Sequence, residues 1–286
     1  MKSFFAFIIY SAIFFPLCGN ICAQDYFFSD QMGKFKNASS FTYSSAGFIY
    51  VTDSGTNEVY KLDTLGNLLK SAGGYGWDPG LFDVPTGIYA NPLSVYVCDK
   101  NNHRVQRFDK DLNYFWLLTT RNSDTTDERF GYPLGCTVSQ QGDLYILDSE
   151  NKRIVKFDLF GNFALNFGGY DAGAFSLTDP QSIAISNSNN LFVIDGKQIV
   201  AFDQYGSGSG LIKSDDELKS INITFNMLTA NSDSAVYFCN LNFQDHVLSK
   251  LKLDGIDRTS EITGSFIFNN KLYLLTKETI LVFIKS

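Results

Sequence analysis

The chain has 286 residues, 44% hydrophobic, 15% aromatic and only 19% charged, with a formal charge of −7. That apolar content excludes a disordered chain, and 6 Pro with 23 Gly exclude collagenous and Pro-rich compositions. The acidic balance argues against nucleic acid as a partner, because neutralising phosphates needs clustered Lys and Arg.

The first element is a leader. Lys2 precedes an apolar run from Phe4 to Leu17, followed by small and polar residues ending in Ile21-Cys22-Ala23-Gln24. This is the order of a secretory signal, so cleavage is expected between Ala23 and Gln24, with a signal peptide over 1–23 and a single domain over 24–286. The run is short for a membrane span, which needs about 20 apolar residues, and no later run reaches that length. A secreted or periplasmic location and a monomer are expected. Cys98, Cys136 and Cys239 remain, an odd number that favours free buried thiols and leaves one bridge open.

From there the chain repeats. The pattern is apolar, aromatic, aliphatic, any residue, Asp: Ile49-Tyr50-Val51-Thr52-Asp53, Val95-Tyr96-Val97-Cys98-Asp99, Leu144-Tyr145-Ile146-Leu147-Asp148 and Leu191-Phe192-Val193-Ile194-Asp195. Two weaker copies are Val236-Tyr237-Phe238-Cys239-Asn240 and Leu272-Tyr273-Leu274-Leu275-Thr276, so six units are counted. A fixed period of this size sets the architecture before any local assignment. Each anchor is followed by a polar turn and a second alternating run, such as Arg104 to Asp109 or Arg153 to Asp158. Turn residues such as Leu65-Gly66-Asn67 and Phe160-Gly161-Asn162 come next. A third run leads to a glycine cluster, Gly73-Gly74 or Gly168-Gly169, and a fourth begins near Pro85 or Pro180. Four short strands per unit predict an all-β fold, a six-bladed β-propeller of four-stranded antiparallel blades. The last unit lacks its outer strand, and the orphan segment Asp25-Tyr26-Phe27-Phe28 is expected to supply it and close the ring.

The run Gly80-Leu81-Phe82-Asp83-Val84-Pro85-Thr86-Gly87-Ile88, then Val95 to Asp99, then Asn101-Asn102-His103-Arg104-Val105, resembles the NHL repeat of the TolB-like propeller superfamily. Copies in units 1, 3 and 4 match in part. The resemblance implies the six-bladed fold. Similar propellers bind proteins, bind RNA or carry a peptide-amidating lyase, so the fold alone does not choose a function.

The catalytic inventory is thin. His103 and His246 are the two histidines, both expected in turns between second and third strands, and a three-His zinc site cannot be assembled from them. No Cys-x-x-Cys pair or Gly-x-Ser-x-Gly elbow occurs. The repeated Asp53, Asp99, Asp148 and Asp195 are read as structural acceptors for turn amides, Arg104 and Arg153.

In a four-strand meander the turns after the first and third strands share one face and are short here. The opposite face carries the longer connections Tyr75 to Val84, Arg121 to Tyr132 and Tyr170 to Asp179. The unrepeated Tyr75, Trp77, Tyr132 and Tyr170, with Asp83, Thr86, Asp179, Gln181 and Asn226, are therefore the binding candidates. The remaining aromatics recur in register and are assigned to packing between blades. Ser207 to Gly210 reads as a flexible stretch and Ser214 to Glu217 as a short helical turn.

These features predict a non-catalytic binding scaffold for a protein, peptide or glycan, with no cofactor and no metal. The alternative is a calcium-assisted lactonase of the gluconolactonase type, which needs only oxygen ligands; Asp83, Asp179, Gln181, Asn226 and Asn37 are its candidates.

Overall fold

The computed structural model of the chain describes residues 25–243, 246–255 and 261–286. The expected leader and its cleavage site at Ala23 and Gln24 lie outside the described residues.

Runs of alternating, β-branched and aromatic residues form strands whose two apolar faces must both be covered. Arranging the sheets as radial blades covers both faces of each. From the centre outward, blade 1 is Ala38–Ser44, Phe48–Asp53, Glu58–Asp63 and Leu68–Gly73. Blade 2 is Pro85–Ala90, Ser94–Asp99, Arg104–Asp109 and Tyr114–Leu118. Blade 3 is Gly135–Val138, Leu144–Asp148, Arg153–Phe157 and Phe163–Phe167. Blade 4 is Pro180–Ile185, Leu191–Asp195, Gln198–Phe202 and Gly208–Lys213. Blade 5 is Ser220–Thr224, Met227–Asn231, Val236–Asn240 and Ser249–Lys250.

Blade 6 combines Ile262–Phe268, Lys271–Thr276 and Ile280–Lys285 with the segment Asp25–Met32. The expected closure is present: Tyr26 faces Lys285 and Met32 faces Ile280 in an antiparallel ladder. A fifth strand, Lys252–Asp254, leaves blade 5 and pairs in parallel with the other edge of Asp25–Met32.

The core is divided into wedges between neighbouring sheets, and the repeated aromatics fill them. Tyr50 of blade 1 meets Phe108 of blade 2, Tyr96 is clustered with Phe157, and Tyr145 with Phe202. Each such side chain contributes about 1.5–3 kcal/mol by leaving water. The tyrosine hydroxyls also tie blades together, Tyr50 to the Lys110 carbonyl and Tyr145 to the Gln204 carbonyl. Cys98, Cys136 and Cys239 are buried free thiols; burial pushes the Cys98 thiol up and that of Cys239 to about 11.

Three local readings are corrected. In blade 5 the run Val236–Asn240 is the third strand, and Met227–Asn231 is the second. Tyr237 accordingly lies in the wedge between blades 4 and 5, and its hydroxyl donates to the Asp216 carboxylate. His246 therefore falls between the third and outer strands of blade 5. The stretch expected to be flexible contributes Gly208–Lys213 as the outer strand of blade 4. Glycine is needed there because a Cβ on Gly208 would sit 2.1 Å from the Phe175 ring. Residues 214–217 form bends without a helical turn, and the Ser214 hydroxyl accepts the Asp216 N–H.

Candidate functional site

The segments entering blades 1 to 4 end the same way. A buried residue, Phe35, Phe82, Phe130 or Leu177, plugs the wedge, and the N–H of the next residue donates to the repeat carboxylate. Those bonds are Lys36 N to Asp53 at 2.7 Å, Asp83 N to Asp99 at 2.8 Å, Gly131 N to Asp148 at 3.1 Å and Thr178 N to Asp195 at 2.9 Å. The four aspartates are buried, and each tethers an incoming connection to its blade. In blade 5 Asn231 stands in this place, and the tether is a backbone bond from Lys219 N to Asn231 O.

Arg104 shows how firmly a connection is held. The residue is 7% exposed, and its guanidinium pairs with Asp99 at 2.7 Å and donates to the carbonyls of Trp77, Asp78 and Leu81. Gln106 adds one bond to the Leu81 carbonyl and accepts the Gly80 N–H. Burial raises the Asp99 carboxyl above its ordinary value although Asp83, Asn102 and Arg104 all donate to it and pull the other way. Tyr75 and Trp77 project from this braced segment, edge to face at 6.0 Å, with Trp77 69% exposed.

The next connection is held by Arg153, which donates to the carbonyls of Thr126 and Arg129 and pairs with Asp148. Its exposed Tyr132 packs edge-on against His103 at 4.2 Å. The Tyr132 N–H donates to His103 Nδ1 at 3.1 Å, and burial followed by the Arg121 cation holds that imidazole below its ordinary pKa. Tyr132 and Val84 both adopt left-handed backbone, with φ of 47° and 58°, immediately before a proline. Such backbone in bulky residues is costly and persists only where the surroundings enforce it. Asn102 donates to the Gly76 carbonyl, so one turn, residues 100–103, contacts both aromatic connections. Tyr170 is fully exposed on the third connection.

The polar candidates divide differently. Asp83 accepts from Asn101 Nδ2, and Asp179 accepts from Gln181 Nε2 at 2.8 Å. Thr86 donates to the Pro133 carbonyl between blades 2 and 3. Asn226 is corrected: it lies in the turn between the first and second strands of blade 5, on the short-turn face away from Asp83, Asp179 and Asn37. The proposed oxygen ligands are thus split between two faces, and among the described residues no three His, Cys, Asp or Glu side chains converge.

A feature the sequence does not disclose is a central cavity of about 690 Å³ lined by the inner strands of blades 1 to 5 and by Thr263. Thr86 and Gln181 alone of the candidates line it. The repeat motif reaches the inner strand of blade 2 at Pro85 to Ile88, but the axis that the inner strands share emerges only when the ring closes.

Comparison with known proteins agrees with the geometry. The NHL repeat model matches residues 82–108 and 130–157, in blades 2 and 3. Protein brain tumor of Drosophila melanogaster is 28% identical over 140 residues, 47% of this chain and 13% of that protein. NHL repeat-containing protein 3 of Mus musculus is 27% identical over 149 residues, 48% of this chain and 41% of that protein. The chain thus matches less than half the length of either relative. Among solved structures, a virginiamycin B lyase from Staphylococcus aureus superposes with TM-score 0.61 at 16% identity, covering 88% of this chain and 82% of the lyase. A gluconolactonase from Xanthomonas campestris gives 0.66 at 13% identity, covering 92% of each chain. At these identities the likeness is one of fold.

Proposed function

We infer that this NHL-repeat propeller is a non-catalytic scaffold that binds a protein or peptide through its long-connection face, outside the cytoplasm. The observation that carries the reading is the pairing of exposed aromatics with immobilised backbone. Tyr75, Trp77 and Tyr132 stand on segments whose carbonyls and amides are fixed by buried Arg104, Asp99, Asp148 and by Arg153. Large amphipathic side chains that are already ordered lose little entropy on binding, which is how such residues dominate recognition surfaces. The apolar leader run is the support for export.

The test places a photo-crosslinking residue at Tyr170 and, separately, at Leu69 on the outer strand of blade 1. The full chain is then exposed to the extracellular or periplasmic fraction of its host. Crosslinks to a discrete protein are expected from position 170 only. They should disappear in a Trp77→Ala, Tyr132→Ala variant, since truncating such anchors costs about 2 kcal/mol or more each. Crosslinking that is equal from both positions, or that survives the double substitution, overturns the reading.

A further inference from the structure

We propose that the central cavity is a second binding site, open to the short-turn face, for a neutral hydroxyl-rich ligand of the size of a short uncharged oligosaccharide. Its volume of about 690 Å³ falls within the roughly 300–1,000 Å³ typical of small-molecule pockets. The exposed wall residues Leu93, Gln140, Asn187 and Phe225 all lie in turns of that face. Among the described residues the long connections contribute only Leu134 and Lys219 to the wall, each immediately before an inner strand.

The lining selects against charge. Of the 37 described residues that line it only Lys219 is charged, against 19% of the whole chain, and its ammonium is paired with Glu217 at 2.7 Å. An ionised ligand would surrender its hydration there without a free counter-charge. The wall is instead rich in hydroxyls and amides, including Ser40, Tyr43, Ser220 and Asn187, whose side chains make no hydrogen bond to the described residues. Hydroxyls and amides both donate and accept, as sugar hydroxyls require, whereas a purely apolar guest would leave them unpaired.

One side of the mouth is aromatic. Tyr43 of blade 1 stacks on Phe268 of blade 6 at 4.1 Å, and Phe225 of blade 5 stacks on Phe268 at 6.0 Å. Phe225 remains 55% exposed. It occupies, with Asn226, a two-residue turn in which both have positive φ, 50° and 61°. Such turns favour Asn, Asp or Gly, so a phenylalanine there carries a local backbone cost, and its contacts with Phe268 and Tyr43 still leave more than half of it open to solvent. Asn226 fixes the turn by accepting the Asn187 N–H and donating to Asn242. An aromatic face beside polar groups suits a pyranose, whose C–H face packs on a ring while its hydroxyls reach the rim.

Calorimetric titration of the full chain with maltotriose, cellotriose and triacetylchitotriose, and with trigalacturonate as the charged control, tests the proposal. One neutral trisaccharide is expected to bind one site per chain and trigalacturonate not to bind. The exposed substitutions Phe225→Ala and Asn187→Ala should each weaken binding about tenfold while Trp77→Ala leaves it unchanged. Failure of all three neutral sugars, equal binding of the charged one, or insensitivity to both mouth substitutions overturns the proposal without touching the long-connection reading.

Discussion

Asp99 and Arg104 concentrate more polar burial than any other pair described above. The carboxylate takes bonds from Asp83 N, Asn102, Arg104 and Gln106, and the guanidinium caps three carbonyls. Removing one partner leaves the other buried without compensation. Asp99→Ala is expected to cost about 3–5 kcal/mol in urea unfolding, because Arg104 is stranded and the connection loses its tether. An Asp99→Asn variant, which keeps acceptor capacity, should lose less. The repeated aspartate is legible in the sequence because recurrence at a strand end marks a blade function. Its partners are not, since which carbonyls gather around Arg104 depends on how residues 77–81 fold back. Asn226 fails for a related reason: its position follows from counting strands, and blade 5 is miscounted.

Elements repeat with their own chemistry. Asp63, Asp109 and Asp158 each open the turn after a third strand, and each accepts N–H bonds two and four residues on, with an Asn side chain completing the ring. These bonds, led by Asn67 for Asp63, Asn113 for Asp109 and Asn162 for Asp158, hold all three carboxyls below the ordinary value of 3.8. The folded chain therefore binds fewer protons than the unfolded one in the window between. The stability they contribute is complete above the unfolded value and is lost as pH falls through the lowered folded values. Thermal melts between about pH 5 and pH 2 should show a steeper acid loss for the native chain than for an Asp63→Asn, Asp109→Asn, Asp158→Asn variant.

Strand patterning predicts these turns well in blades 1 to 4, where Asp recurs after the third strand and is followed by Gly-Asn in blades 1 and 3. In blade 5 the run Val236–Asn240 imitates the anchor more closely than Met227–Asn231, which holds the place. Hydrophobic pattern alone cannot separate adjacent strands that share one wedge.

At the scale of the molecule, six sheets enclose a neutral cavity and present exposed aromatics on braced connections. The ring form was legible because a repeat of this period leaves few alternatives, whereas the cavity is a property of closure and of no single unit. Closure rests on Tyr26, 2% exposed and packed with Phe283 and Leu272 in the wedge between blades 5 and 6. Tyr26→Ala is expected to cost about 3–5 kcal/mol, read as a lower urea midpoint. If the edge opens as well, light scattering should report association through the freed strand.

The seam of blade 6 also imposes an order in time. Asp25–Met32 is translated first among the described strands, yet its ladder partners at 252–254 and 280–285 are among the last. Blades 1 to 4 can form from contiguous chain as it emerges, while this earliest segment waits as an unpaired strand for its seat. The step that joins them spans about the whole length of the domain, the arrangement that slows folding most. Assembly thus ends where synthesis began, and a chain cut short anywhere before residue 280 cannot lock.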